Sequence, residues 1–210
     1  MNRAYSKAVL RVHGMDESGV RLPIGPQKSM LKKIFIPGWF DTAENRVDYE
    51  GLDIWIKKIN PSQKIEAEYV IGHSLGACFA ILNWEKNKNT KLILVNPTMF
   101  HKGFLGYFSQ WIRFLFREGT RVNKKRLKCF LHLYLGIKQG LELINKDYDK
   151  IIEQVPQNDI LVIRGKNDKY LFSEKAASVL KAKGVKIIEV AEAGHSWNEK
   201  FSKEIDKLIS

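Results

Sequence analysis

The chain has 210 residues, 44% of them hydrophobic and 28% charged, with a formal net charge of +12. That length suits one sizeable core rather than two independent domains, and the composition excludes a fibrous or low-complexity chain. No apolar run reaches the roughly 18–20 residues of a membrane span, and two cysteines, Cys78 and Cys129, are too few for a disulfide framework, so a cytoplasmic setting is expected.

Residues 1–31 carry the weakest pattern: "AVLRVHG" (8–14) reads as an extra strand and "LPIGPQ" as a turn-rich connector. Next, "KKIFIPG" (32–38) is a continuous apolar run closed by a turn signal. "YEGLDIWIKKI" (49–59) places Leu52, Trp55, Ile56 and Ile59 on one stripe at helical spacing. "AEYVIGH" (67–73) is again a buried-strand run, followed by the small, apolar helix start "LGACFAILNWEKN" (75–87). Three more runs, "KLILVNP" (91–97), "DILVIRG" (159–165) and "VKIIEVA" (185–191), alternate with helices expected at 173–184 and 198–210. Continuous rather than alternating apolar runs are how strands covered on both faces read. Alternating βα units predict an α/β fold, an open, mostly parallel sheet with helices on both faces. Residues 98–157 interrupt the alternation and read as two to four helices, at 103–119, 123–136 and 138–155. We take the chain as one domain over 1–210, with 98–157 a helical cap insertion within it.

Gly72-His73-Ser74-Leu75-Gly76 has the spacing G-x-S-x-G. Chance supplies that pattern in about one chain of this length in fifteen. Its position carries the information, because Ser74 leaves a buried strand and enters a helix. Such a turn holds its central residue in a strained conformation that flanking glycines permit, and it lifts the hydroxyl above the sheet. A helix N-terminus then faces any anion formed there. Serine needs a base, and the base needs an orienting acid. Asp168 follows the strand ending "VIRG", and His195 follows "VAEAG" just before the last helix. Ser74, Asp168 and His195 thus fall in order, each at the carboxyl end of a strand. An oxyanion hole needs two backbone donors: we assign the Leu75 amide and, beside Gly38, the Trp39 amide. His73 lies inside the turn and is expected to help orient it, whereas His13, His101 and His132 have no such context.

With "PGWF" after the first strand, "GHSLG" at the elbow, "GKND" around the acid and "AGHSW" around the base, the chain resembles the α/β-hydrolase superfamily of serine hydrolases. More specifically it is similar to the small single-domain retinoblastoma-binding-protein type, over about residues 32–96 and 158–210. The resemblance implies cleavage of an ester, thioester or amide by acylation of Ser74, then deacylation by water through His195. It also implies no metal and no organic cofactor. Two departures stand out. Pro37 replaces the histidine that many relatives carry before the oxyanion glycine. Only about 30 residues separate the first core strand from the elbow strand, so one strand should be lost or vestigial.

The insertion is aromatic at its start, from Phe100 through Phe116, then basic, with Glu118 the single acidic residue between Arg113 and Lys128. Phe40, Phe104, Tyr107 and Trp111 are the candidate pocket for a small-molecule acyl substrate, lipid-like or long-chain. The basic flank suits peripheral contact with an anionic membrane. No motif of specific nucleic-acid recognition accompanies the charge. Two other readings stay open: a catalytically silent binding module on this fold, and an acyltransferase using the same triad.

Overall fold

The computed structural model describes residues 32–43, 49–57, 59, 64–99, 103–118 and 131–209. The strand expected at 8–14, most of the helix expected at 123–136, Phe100, His13, His101, Cys129 and the basic residues from 121 to 128 lie outside them.

Six strands form one sheet: β1 (Lys33–Ile36), β2 (Glu50–Gly51), β3 (Tyr69–His73), β4 (Lys91–Val95), β5 (Ile160–Gly165) and β6 (Lys186–Val190). Their spatial order is β2-β1-β3-β4-β5-β6, and each adjacent pair is parallel. The order reverses between β1 and β3. Loops leaving these two strands diverge there and open the crevice in which such sheets hold their ligands.

The sheet divides the core into two layers. Ile34, Ile36, Val70, Leu92, Leu94 and Val162 point to the face covered by α1 (Leu75–Trp84). Ala177 and Leu180 of the later helix Glu174–Ala182 belong to the same core. Phe35, Ile71, Ile93, Val95 and Ile163 point to the opposite face, where Phe201, Ile205 and Ile209 of the last helix, Glu199–Ile209, pack. Each of those three buried side chains contributes about 1.5–3 kcal/mol of transfer free energy. Period-two alternation within continuous apolar strands is what lets both faces be dry.

Residues 49–59 do not form the expected helix. Glu50 and Gly51 pair with Ile34 and Phe35, and Leu52 N–H donates to the Phe35 carbonyl at 2.8 Å. Turns follow, with Ile54 and Trp55 fully buried and Trp55 Nε1 donating to the Pro37 carbonyl at 2.9 Å. An open sheet edge competes for these amides, and the apolar spacing that suggested a helix is that of turn residues packed into the core. The two-residue β2 is the vestigial strand expected here.

Between β4 and β5 lie α2 (Gly103–Arg117), α3 (Leu133–Ile144) and the single turn α4 (Asp149–Ile152). The break expected at Gly136–Ile137 is absent. α3 runs through Gly136 and Gly140 because those positions seat aromatic rings: a Cβ on Gly136 would lie 3.1 Å from the Phe40 ring, and one on Gly140 3.0 Å from Trp39 Nε1. The final βα unit continues with α5 (Glu174–Ala182), capped by the Ser173 hydroxyl, and α6 (Glu199–Ile209). Among the described residues no helix is long and apolar enough to cross a membrane.

Candidate active site

β3 ends in the elbow. Ser74 has φ 55° and ψ −121°, a conformation that costs a non-glycine residue free energy and persists only when its surroundings enforce it. Two contacts enforce it. Ser74 N–H donates to the Val95 carbonyl of the neighbouring strand at 2.9 Å. Gly76 lets α1 start directly against the end of β1, since a Cβ there would collide with the carbonyl oxygens of Ile36 and Pro37. A Cβ on Gly38 would come within 3.0 Å of the Ser74 Cβ and the His73 ring, so the loop after β1 lies against the nucleophile.

Ser74 Oγ is 2.9 Å from His195 Nε2, and His195 Nδ1 is 2.5 Å from Asp168 Oδ2. The nitrogen facing the carboxylate carries the proton, which leaves Nε2 to accept from serine. Ser74 and His195 are each 4% exposed and Asp168 is fully buried. Burial by itself pushes the Asp168 carboxyl up. The His195 ring and the amides of Phe172 and Leu171 outweigh it, and they hold the group below its ordinary value. An ionised Asp168 stabilises the imidazolium that forms when His195 takes the serine proton. Ser74, His195 and Asp168 are a catalytic triad.

Three groups outside the triad hold its loops. Asn96, fully buried at the end of β4, donates through Nδ2 to the carbonyls of Gly194 and His195 at 2.9 and 3.0 Å. Its Oδ1 accepts from Gly165 N–H at 2.8 Å. One amide therefore ties the acid-bearing loop to the base-bearing loop. His73 Nε2–H donates to the His195 carbonyl at 2.9 Å, so this elbow histidine braces the base loop as well as the turn. Glu118, although exposed overall, reaches back from the end of α2 and accepts from His195 N–H at 3.2 Å. Burial and the Asp168 charge raise its carboxyl above the usual range, against the opposing pull of the His195 amide. Asn96 belongs to no sequence motif, and its one signal is a lone asparagine at a strand end. In the sequence Glu118 stands out only as a counter-charge within a basic stretch.

Of the expected pocket residues, Phe40, Tyr107 and Trp111 come together around Trp39, and Phe104 is not among the rings that touch it. Tyr107 is 1% exposed, and burial pushes its phenol ionisation far up. Phe114, one heptad on, meets the His195 ring edge-on at 5.3 Å. Trp39 stacks on Phe40 at 4.8 Å and contacts the Tyr107 and Trp111 rings at 5.5 Å each. Phe104 stands a layer farther out, stacked on Phe108. Leu105 and Phe116, by contrast, face outward at 81% and 85% exposure. The apolar positions of α2 are thus split between a buried side, from which Phe114 meets His195, and an exposed side, because a helix cannot point all of them one way. Among the described residues the amides of Trp39 and Leu75 donate to no other group, and no cluster of three or more His, Cys, Asp or Glu could hold a metal ion.

A parallel α/β sheet with this elbow, and a serine, histidine and aspartate linked in sequence above it, defines an α/β-hydrolase. A family model described as serine hydrolase matches residues 36–203, and the chain belongs to that family. No curated protein matches significantly. Among solved structures it is similar to MGS-M2, an α/β hydrolase from a Medee basin deep-sea metagenome, with 16% identity, TM-score 0.56, and coverage of 88% of this chain and 90% of that one. A thermophilic esterase matches at 15% identity and TM-score 0.55, covering 86% and 88%. The esterase RhEst1 from Rhodococcus sp. ECU1013 matches at 12% and 0.54, covering 84% and 89%. At these identities the likeness is one of fold.

Proposed function

We propose that this serine hydrolase cleaves an ester or thioester with an apolar acyl part. The observation that carries the reading is the aromatic cluster of Trp39, Phe40, Tyr107 and Trp111 beside the loop that lies against Ser74, with Phe114 against the His195 ring. A carbonyl entering that space meets Ser74 Oγ as His195 Nε2 withdraws its proton. The amides of Leu75 and Trp39 take the oxyanion, and His195 returns the proton to the leaving group. Water then repeats the sequence on the acyl-enzyme. Within the family we place the chain with the small retinoblastoma-binding-protein type, on its short sheet and its "IGHS" elbow, and in the cytoplasm on its low cysteine content.

A second feature favours work at an interface. Leu105, Phe108 and Phe116 are exposed on α2 alongside Arg113 and Arg117. Apolar side chains interleaved with cations suit an anionic lipid surface. Hydrolysis of p-nitrophenyl esters from acetate to palmitate tests the acyl reading. We expect kcat/KM to rise with chain length by on the order of 10-fold or more, each buried methylene being worth about 0.8 kcal/mol. Fluorophosphonate labelling should occur in the wild type and vanish in Ser74→Ala. A preference for acetate would refute the apolar pocket, and absence of labelling in folded wild type would refute catalysis.

A further inference from the structure

Arg164 is a buried cation near the end of β5, 4% exposed, and no step of the triad chemistry touches it. Its guanidinium offers one nitrogen to each of three acceptors. Nε donates to the Phe172 carbonyl at 3.2 Å, Nη2 to the Asp168 carbonyl at 3.3 Å, and Nη1 to the Glu189 carboxylate at 3.3 Å. Glu189 is its cross-strand partner in β6. The two carbonyls bracket residues 168–172, a segment that begins with the triad acid. Inside it Leu171 N–H donates to Asp168 Oδ1 at 3.1 Å, while Oδ2 takes the His195 Nδ1–H. Carbonyls turn toward the cation and an amide toward the anion, so one arrangement of five residues serves both charges. The half of the loop before Asp168 is held by Lys166 and Asn167, whose amides donate to the Val190 and Ala193 carbonyls at 3.0 and 2.8 Å. The half after it is held by Arg164.

We propose that Arg164 is a positioning residue for the triad: by taking the carbonyls of Asp168 and Phe172 it fixes the segment between them, so that the Asp168 carboxylate presents Oδ2 to His195. Its bond to Asp168 goes to the main chain and not to the carboxylate, so it orients the acid without competing with His195 for it. A buried ion pair is commonly no more stabilising than apolar side chains of the same volume, because desolvation offsets the attraction. What separates Arg164 from such a filler is direction. A planar guanidinium fixes three acceptors at set angles, which the single ammonium of a lysine does not. The acid in turn holds the imidazole in the tautomer and orientation that accept the serine proton. A displaced 168–172 segment therefore reaches Ser74 through two hydrogen bonds, and misplacement of a reacting group by about 1 Å costs on the order of 100-fold in rate.

The inference rests on the triad working as a hydrolase, and the two fail on different readouts. Arg164→Met removes every donor and keeps a long side chain; Arg164→Lys keeps the cation but cannot reach all three acceptors. Two quantities are measured on each folded variant. One is turnover of a p-nitrophenyl ester. The other is the proton NMR resonance of the His195 Nδ1–H, which its bond to a buried carboxylate moves far downfield and which Asp168→Asn should abolish. We expect kcat to fall on the order of 100-fold in Arg164→Met and 10-fold in Arg164→Lys, with KM changed less than about 2-fold. The resonance should move upfield or broaden in both. Should Arg164→Met not fold, Arg164→Lys decides alone. If folded Arg164→Lys keeps kcat within about 2-fold of wild type, or loses activity with the resonance unmoved, Arg164 holds the fold and not the acid, and the proposal is wrong. A wild type that shows the resonance but hydrolyses no ester would defeat the hydrolase reading, and the resonance alone would then judge the placement of Asp168.

Discussion

Three hydrogen bonds meet on the buried Asn96 amide, and two of them end on the loop that carries His195. Its backbone has φ 45°, a region asparagine tolerates better than most residues. Asn96→Ala would strand the Gly165 N–H and the Gly194 carbonyl, leave the His195 carbonyl with His73 alone, and add backbone strain. The expected cost is about 2–4 kcal/mol, read from urea unfolding. The loosened His195 loop should also lower kcat in the folded enzyme by on the order of 10- to 100-fold, with KM less affected, since small displacements of a general base are costly. The triad could be read in the sequence because each member sits beside a glycine at a strand end, where the pattern of apolar run, turn and helix locates it in space. Asn96 shares that location but belongs to no motif; only its three partners, distant in sequence, reveal its role.

Helices of the insertion obey opposite rules at their glycines. Gly140 is filled by the Trp39 ring, whereas a Cβ on Gly106 in α2 would meet nothing within 4 Å. Gly106→Ala therefore gains helix propensity at no packing cost, about 0.5–1 kcal/mol, or roughly 2–4 °C in melting temperature for a chain of this size. Gly140→Val should destabilise by about 1–3 kcal/mol through overpacking, and should reduce esterase activity by displacing Trp39. Calorimetry on the pair checks both signs. β1, β3, β4 and β5 were readable from sequence because burial on both faces leaves little choice of residue. The glycines of α3 read as a break, since sequence shows the missing side chain but not the ring that replaces it. Residues 49–59 misled for a related reason: core-facing turns and amphipathic helices both space apolar residues three and four apart.

At the scale of the whole molecule, charge and the buried acid act together. The folded state holds Asp168 more acidic than an unfolded chain does, where the value is about 3.9. Its stabilising contribution is present above that pH and is lost as pH falls through the lower, folded value. Acid also removes carboxylate charge from a chain that already carries +12, which adds self-repulsion. We expect unfolding free energy to drop steeply below about pH 4, and Asp168→Asn to show a shallower acid limb together with loss of activity; parallel limbs in urea titrations would contradict this. The near-complete burial of Ser74 and His195 beneath α2 has a kinetic consequence too. An acyl-enzyme formed there does not sit in bulk solvent, so water becomes a reagent that must be admitted, like any other acceptor. How the acyl group divides between water and a competing alcohol or thiol is then governed by how α2 sits over the serine. Substitutions along that helix should shift product ratios even where the triad is untouched.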